Sequence, residues 1–269
     1  MKAHATTDLL AMPWTLGLLL TVALICGLLF ASAEAGFRWG RRRLADEGEH
    51  ADKGLGVIEG AVFALLGLLI AFSFSSAGNR FEMRRLLIAE EANAISTSYL
   101  RLDLLGRDLS EPIRPLYREY LEVRIAGSKH SDDAPAIAGS QAATEAQQAR
   151  IWAAVNAALE QKGEPALAMP VLGPLNEMID ITTTRRMAAM VHPPAIVFAA
   201  LALVAMLATF LAGHGRGLSG RRSPLHTVVF VLVISGTIYS IVELEYPRLG
   251  FVTIKDADVV LAELRGMMR

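Results

Sequence analysis

The stretch "AFSFSSAGNRFEMRRLLIAEEANAISTSYLR", Ala71 to Arg101, begins as apolar as a bilayer core and ends as charged as a helix in water. No proline interrupts it, and its one glycine, Gly78, costs about 1 kcal/mol relative to alanine inside a helix. A single helix can therefore run from lipid into an aqueous compartment. Upstream the apolar run continues back to Gly56, so Gly56 to Ser76 meets the length of about 20 residues that a helical membrane span needs.

Three further stretches meet that length: Met12 to Phe37, Pro194 to Ala212 and Leu225 to Leu244. The first contains "ASAEA" (Ala31 to Ala35), which looks like a small-residue cleavage site. Yet the run is longer than a signal core, and its positive charge follows it (Arg38, Arg41, Arg42, Arg43) while only Lys2 precedes it. It reads as a membrane span. Of the 269 residues 53% are hydrophobic, too many for an ordinary soluble domain, while the long polar segment between spans two and three must lie outside lipid.

That segment, Asn79 to His192, is dominated by Ala, Leu, Glu, Gln and Arg and lacks the alternation of strands, so it predicts helices. They are expected near Arg80 to Leu105, Glu111 to Ala126, Ala142 to Lys162 and Val171 to Met190, with "GSKHSDDAPAIAGS" (Gly127 to Ser140) as a mobile loop. His192-Pro193-Pro194 ends one helix and lets the third span begin. The expected fold is all-α: residues 1–55 hold the first span and a basic loop, 56–78 the second span, 79–192 the extramembrane helices, 193–247 spans three and four, and 248–269 a C-terminal tail.

Charge and motifs exclude several functions. With 26 Lys+Arg against 27 Asp+Glu there is no basic field to attract nucleic acid. The lone cysteine, Cys26, allows neither an intrachain disulfide nor a thiolate cluster. The six histidines share no ligand spacing, and no metalloprotease helix, phosphate-binding glycine loop or nucleophile elbow occurs. Glu90 and Glu91 are neighbours that point about 100° apart on a helix, so they read as a solvated or subunit-facing surface rather than a facing pair. No catalytic residue, metal or cofactor is expected.

The second span sorts its side chains by size. Gly60, Ala64, Gly67, Ala71, Ser75 and Gly78 form a small-residue stripe, and Ala64, Leu68, Phe72 and Ser76 lie beside it at spacing four. Such stripes serve either close helix packing or a pore whose apolar ring gates by dewetting. By position alone Glu243 and Glu245 read as headgroup-zone acids, and Arg80, Arg84 and Arg85 as interfacial anchors. The loop arginines lean toward a cytoplasmic location for the two short loops, with the helical region on the other side.

The segment from Ala71 onward also resembles the signature of the bestrophin-like domain family of bacterial and plant membrane proteins. Arg84, Arg85, Leu87, Glu91, Ala92, Asn93, Ala94, Ile95, Thr97, Tyr99, Leu100 and Arg101 match its charged helix after the second span, and "ELEYPRLGFVTIKDADVVLAEL" (Glu243 to Leu264) resembles its ending. More distantly, both ends are similar to bestrophin anion channels. Arg80 and Phe81 match an Arg-aromatic-aromatic-Glu element, with Glu82 on the second aromatic position, and Glu243, Glu245, Pro247 and Gly250 echo the acidic stretch after the fourth span.

The resemblance implies a homo-oligomer, a pentamer in bestrophins, in a lipid bilayer, passing a small inorganic anion such as chloride along the second helix. It carries the apolar neck onto Phe72, Leu68 and Ala64, the last too small to extend the constriction, with Ser73, Ser75 or Ser76 at wet positions. It places Arg80, Phe81, Glu91, Asn93, Thr97, Arg101, Glu243, Glu245, Pro247 and Gly250 in a vestibule or conserved element, and the helical region in the cytosol, opposite to the lean of the arginines. Only Asp256 and Asp258, beside Lys255, follow the fourth span, so no calcium clasp is expected. The expected location is a bacterial inner membrane, crossed several times. The competing expectation is a non-conducting sensor or scaffold whose helical region binds a partner.

Overall fold

The computed structural model describes residues 13–47, 55–129, 134–220, 224–246 and 255–268. Among these the chain is helical, without a strand: α1 Pro13–Glu47, α2 Leu55–Arg101, α3 Arg107–Ser110, α4 Arg114–Lys129, α5 Ala134–Lys162, α6 Ala168–Met190, α7 Ala195–Leu218, α8 Pro224–Glu245 and α9 Lys255–Met267. The four stretches long and apolar enough to cross a membrane lie in α1, α2, α7 and α8. α2 is the expected unbroken helix, 47 residues and thus about 70 Å long.

The chain forms two compact units, and their boundary falls within α2. The first comprises Met1–Phe81 and His192–Val252. Its apolar core joins Leu29, Leu66, Ala77, Leu201, Ala205, Ala208, Val231, Ile234, Ile238 and Ile241, and Phe63 meets Phe230 edge-on with centroids 6.0 Å apart. α1 and α7 touch backbone to backbone. A Cβ on Gly36 would strike the Phe210 carbonyl and one on Gly40 the His214 carbonyl, while Gly213 faces the Ala33 carbonyl and Gly217 that of Phe37. Two glycine pairs spaced four apart thus interlock, the small-residue solution to packing helices in lipid, where burial of apolar surface no longer drives association. Ser32 adds a hydrogen bond from its Oγ to the Met206 carbonyl at 2.7 Å.

The second unit comprises Glu82–Val191 and Thr253–Arg269. Leu87, Ile88, Ala92, Ile95 and Tyr99 of α2 are buried at helical spacing, against Tyr117, Tyr120 and Leu121 of α4 and other apolar residues of the unit. The Ser98 and Tyr117 hydroxyls bond at 2.6 Å, and burial pushes the Tyr117 phenol up to about 12. Arg114 lies 4.8 Å above the Tyr99 ring. The C-terminal tail contains a helix of its own: α9 buries Leu261 and Leu264 and pairs Arg265 with Glu122 of α4.

The loop expected over Gly127 to Ser140 is a correction. α4 continues to Lys129 and α5 begins at Ala134. Pro135 falls in the first turn of α5, where a missing N–H costs nothing, and a Cβ on Gly127 would meet Ser140 Oγ, so the two helices approach closely at the glycine. Composition suggested a linker across the whole stretch, whereas helix enters it from both sides; residues 130–133 lie outside the described residues. Left-handed backbone is confined among the described residues to glycines, such as Gly106 (φ 85°), which turns the chain from the 3₁₀ turn Leu102–Leu105 into α3.

Candidate pore-lining face

Within the first unit, α2 divides into two faces. Leu66 and Ala77 are buried and Val62, Ile70 and Ser73 half-buried, all turned toward the protomer core. On the opposite side Ala64, Leu68, Phe72 and Ser76 are exposed, with Leu68 and Phe72 at 52% and 66% of their full accessibility. Nothing lies within 4 Å of a Cβ placed on Gly60, Gly67 or Gly78. The α2 stripe therefore does not serve packing within the protomer, a task that falls to the glycines of α1 and α7. Ser75 and Ser76 share the exposed side; Ser73, expected beside them, turns inward because it sits one heptad from Leu66.

At the end of this face stands a charged cluster. Arg80 donates from Nε to Glu245 Oε2 at 2.8 Å, with Nη2 at 2.7 Å from the same oxygen, and from Nη1 to Ser76 Oγ at 2.6 Å. Glu245, the last residue of α8, is fully buried (0% accessible), and its Oε1 lies 2.9 Å from Nδ1 of His192. The His192 ring stacks on Tyr246 with centroids 4.8 Å apart. Glu243 and Glu245, expected as headgroup-zone acids, are both buried against protein, and Glu245 is held by Arg80 and His192 from two other segments. Arg80 is likewise no free interfacial anchor. A carboxylate withdrawn from water needs such partners.

In the second unit the expectation of a solvated Glu91 is also overturned. Glu90 is exposed, but Glu91 is fully buried, with Arg124 of α4 on one carboxylate oxygen and Arg185 of α6 on the other. One position separates them on the helix, which suffices to turn Glu91 onto the face of Leu87, Ile88 and Ile95. Arg84, expected at the interface, is buried and donates to the carbonyls of Ala188 and Val191, at 3.1 and 3.2 Å. Asn93, Thr97 and Arg101 are exposed at spacing four, and Phe81 is half-buried. Pro247 and Gly250 lie outside the described residues.

Arg124, Arg185 and His192 are not among the site residues expected from the sequence, where His192 reads only as part of a helix stop. Each is the distant partner of a carboxylate, and only the acid left a trace, as a charge among buried apolar positions of a helix. No group of three His, Cys, Asp or Glu side chains able to hold a metal occurs among the described residues. What the arrangement offers is an outward apolar and hydroxylated helix face next to the Arg80–Glu245 ion pair.

No curated protein and no solved structure matches the chain. The model of the Bestrophin-like domain matches residues 23–259, which take in most of α1, all of α2 to α8 and the start of α9, so the chain belongs to the bestrophin-like family.

Proposed function

We propose that the protein is a multi-pass channel of the bacterial inner membrane that conducts small inorganic anions passively, as a homo-oligomer whose α2 helices surround the pathway. The observation that carries this is the outward stripe of α2: large apolar Leu68 and Phe72 followed by Ser75 and Ser76, without a partner helix against its glycines in the protomer. Copies arranged about an axis with this face inward would make an apolar constriction that opens by wetting, then a hydroxylated widening. A pentamer is the assembly that the family resemblance supports. The preference for anions rests on the family resemblance; Arg80, paired with Glu245, presents the positive end of that pair to Ser76 at the end of the stripe. No covalent chemistry is involved.

The test is chloride efflux from liposomes holding the purified protein. Phe72→Ala shortens the apolar neck and is expected to raise flux several-fold. Flux equal to that of empty vesicles for the parent protein would instead favour a non-conducting membrane module.

A further inference from the structure

His192 has no role in the reading above, yet its ring faces the carboxylate that holds Arg80. Nδ1 lies 2.9 Å from Glu245 Oε1, and a carboxylate accepts there, so the neutral ring donates from Nδ1 and leaves Nε2 to take a proton. The side chain keeps 34% of its accessibility, so water can deliver that proton without rearrangement. The groups facing His192 among the described residues are Glu245 and the Tyr246 ring from the end of α8, and Arg80 of α2 through Glu245. Glu243, two residues back on α8, points about 200° away from Glu245.

With His192 neutral, Arg80 and Glu245 cancel. With His192 protonated, one positive charge is added beside the Arg80–Glu245 pair. Arg80 is also the donor to Ser76 on the exposed face of α2, so the extra charge is felt there. We infer that His192 is a proton-binding control point for the α2 pathway: protonation makes the Ser76 end of the face more positive and raises anion entry. Imidazole is the side chain whose charge changes between about pH 5 and 8. The effect on flux rests on the proposed conduction; the electrostatic coupling does not.

The full-length protein carrying Cys26→Ser and Ser75→Cys is labelled in liposomes with a negatively and, separately, a positively charged methanethiosulfonate. The ratio of the two rates cancels the pH dependence of the thiol itself. One added charge a few ångströms beyond Arg80, screened by salt, is expected to raise the anionic-to-cationic ratio on the order of threefold between about pH 8 and about pH 5.5. His192→Gln, which donates a hydrogen bond but does not titrate, is expected to abolish the rise, as is His192→Asn should the first variant not fold. A ratio unmoved by pH in the parent, or a rise that survives both substitutions, overturns the control point. Chloride efflux on the same samples separates the two proposals. A shifted ratio without flux removes conduction and keeps the proton site, whereas flux with an unmoved ratio does the reverse. Failure of both reagents to label position 75 refutes both.

Discussion

Glu91→Gln tests how the second unit is held together. The Glu91 side chain is wholly buried, while those of Arg124 and Arg185 keep 17% and 14% of their accessibility. Removing one member of a buried ion pair costs about 3–5 kcal/mol, because the remaining charge is stranded. Here the arginines retain some water and the glutamine amide still offers one acceptor, which argues for the lower end, about 3 kcal/mol. Arg185→Met breaks only one of the two pairs and leaves Glu91 with Arg124, so its cost should be nearer about 1.5 kcal/mol, the worth of one charged hydrogen bond. In a unit of this size these translate to melting-temperature losses on the order of 10 and 5 °C. Thermal unfolding in detergent, followed by circular dichroism, measures both. A smaller loss for Glu91→Gln than for Arg185→Met would refute the claim that this carboxylate is the shared hub of α2, α4 and α6.

Gly213→Leu should disrupt the α1–α7 contact, because its side chain meets the Ala33 carbonyl. Overpacking of about 1–3 kcal/mol or more is expected, while Gly236→Ala, with nothing within 4 Å, should be neutral or gain from helix propensity; melting temperature and folded yield report both. Tyr117, raised to about 12, predicts alkaline sensitivity. Its folded value lies above the unfolded one, so its contribution is full below about pH 10 and is lost as pH climbs from about 10 to 12, up to roughly 2.7 kcal/mol. Tyrosinate absorbance against pH should show late-ionising phenols, one fewer in Tyr117→Phe, with Tyr120, which burial also raises, still among them.

The long helix and the four membrane stretches were legible because each is a one-dimensional signal: an unbroken apolar run, a missing proline, a change of polarity at Asn79. The outward set on α2 was legible as well, since spacing four fixes which residues share a side whatever they face. What the sequence withheld is pairing across distance. Glu91 differs from Glu90 only by which side of α2 the neighbours occupy, and that depends on α4 and α6 arriving there. Glu245 similarly awaits His192, more than fifty positions away. The loop over Gly127 to Ser140 was drawn too wide for the opposite reason: its local composition is that of a linker, while α4 reaches Lys129 and α5 starts at Ala134.

The same motif, small residues four apart, carries two meanings in this chain, and the distinction bears on function. On α1 and α7 each glycine lies against a carbonyl of the other helix, so the motif is consumed by the protomer's own packing. On α2 the glycines have open space, although the helix presents a second, apolar side to the core through Leu66 and Ala77. A helix that needed only to anchor the protein could meet lipid with large apolar side chains, as α8 does chiefly through its exposed Leu225, Val229, Leu232 and Val233, with Gly236 its one exposed glycine. α2 instead exposes glycine, alanine and serine beside Leu68 and Phe72 and ends on a bonded arginine. Lipid gains little from small and hydroxylated residues, whereas a neighbouring copy of α2, or water between copies, makes use of both. The composition of that face is thus better matched to an assembly around a pathway than to an anchor.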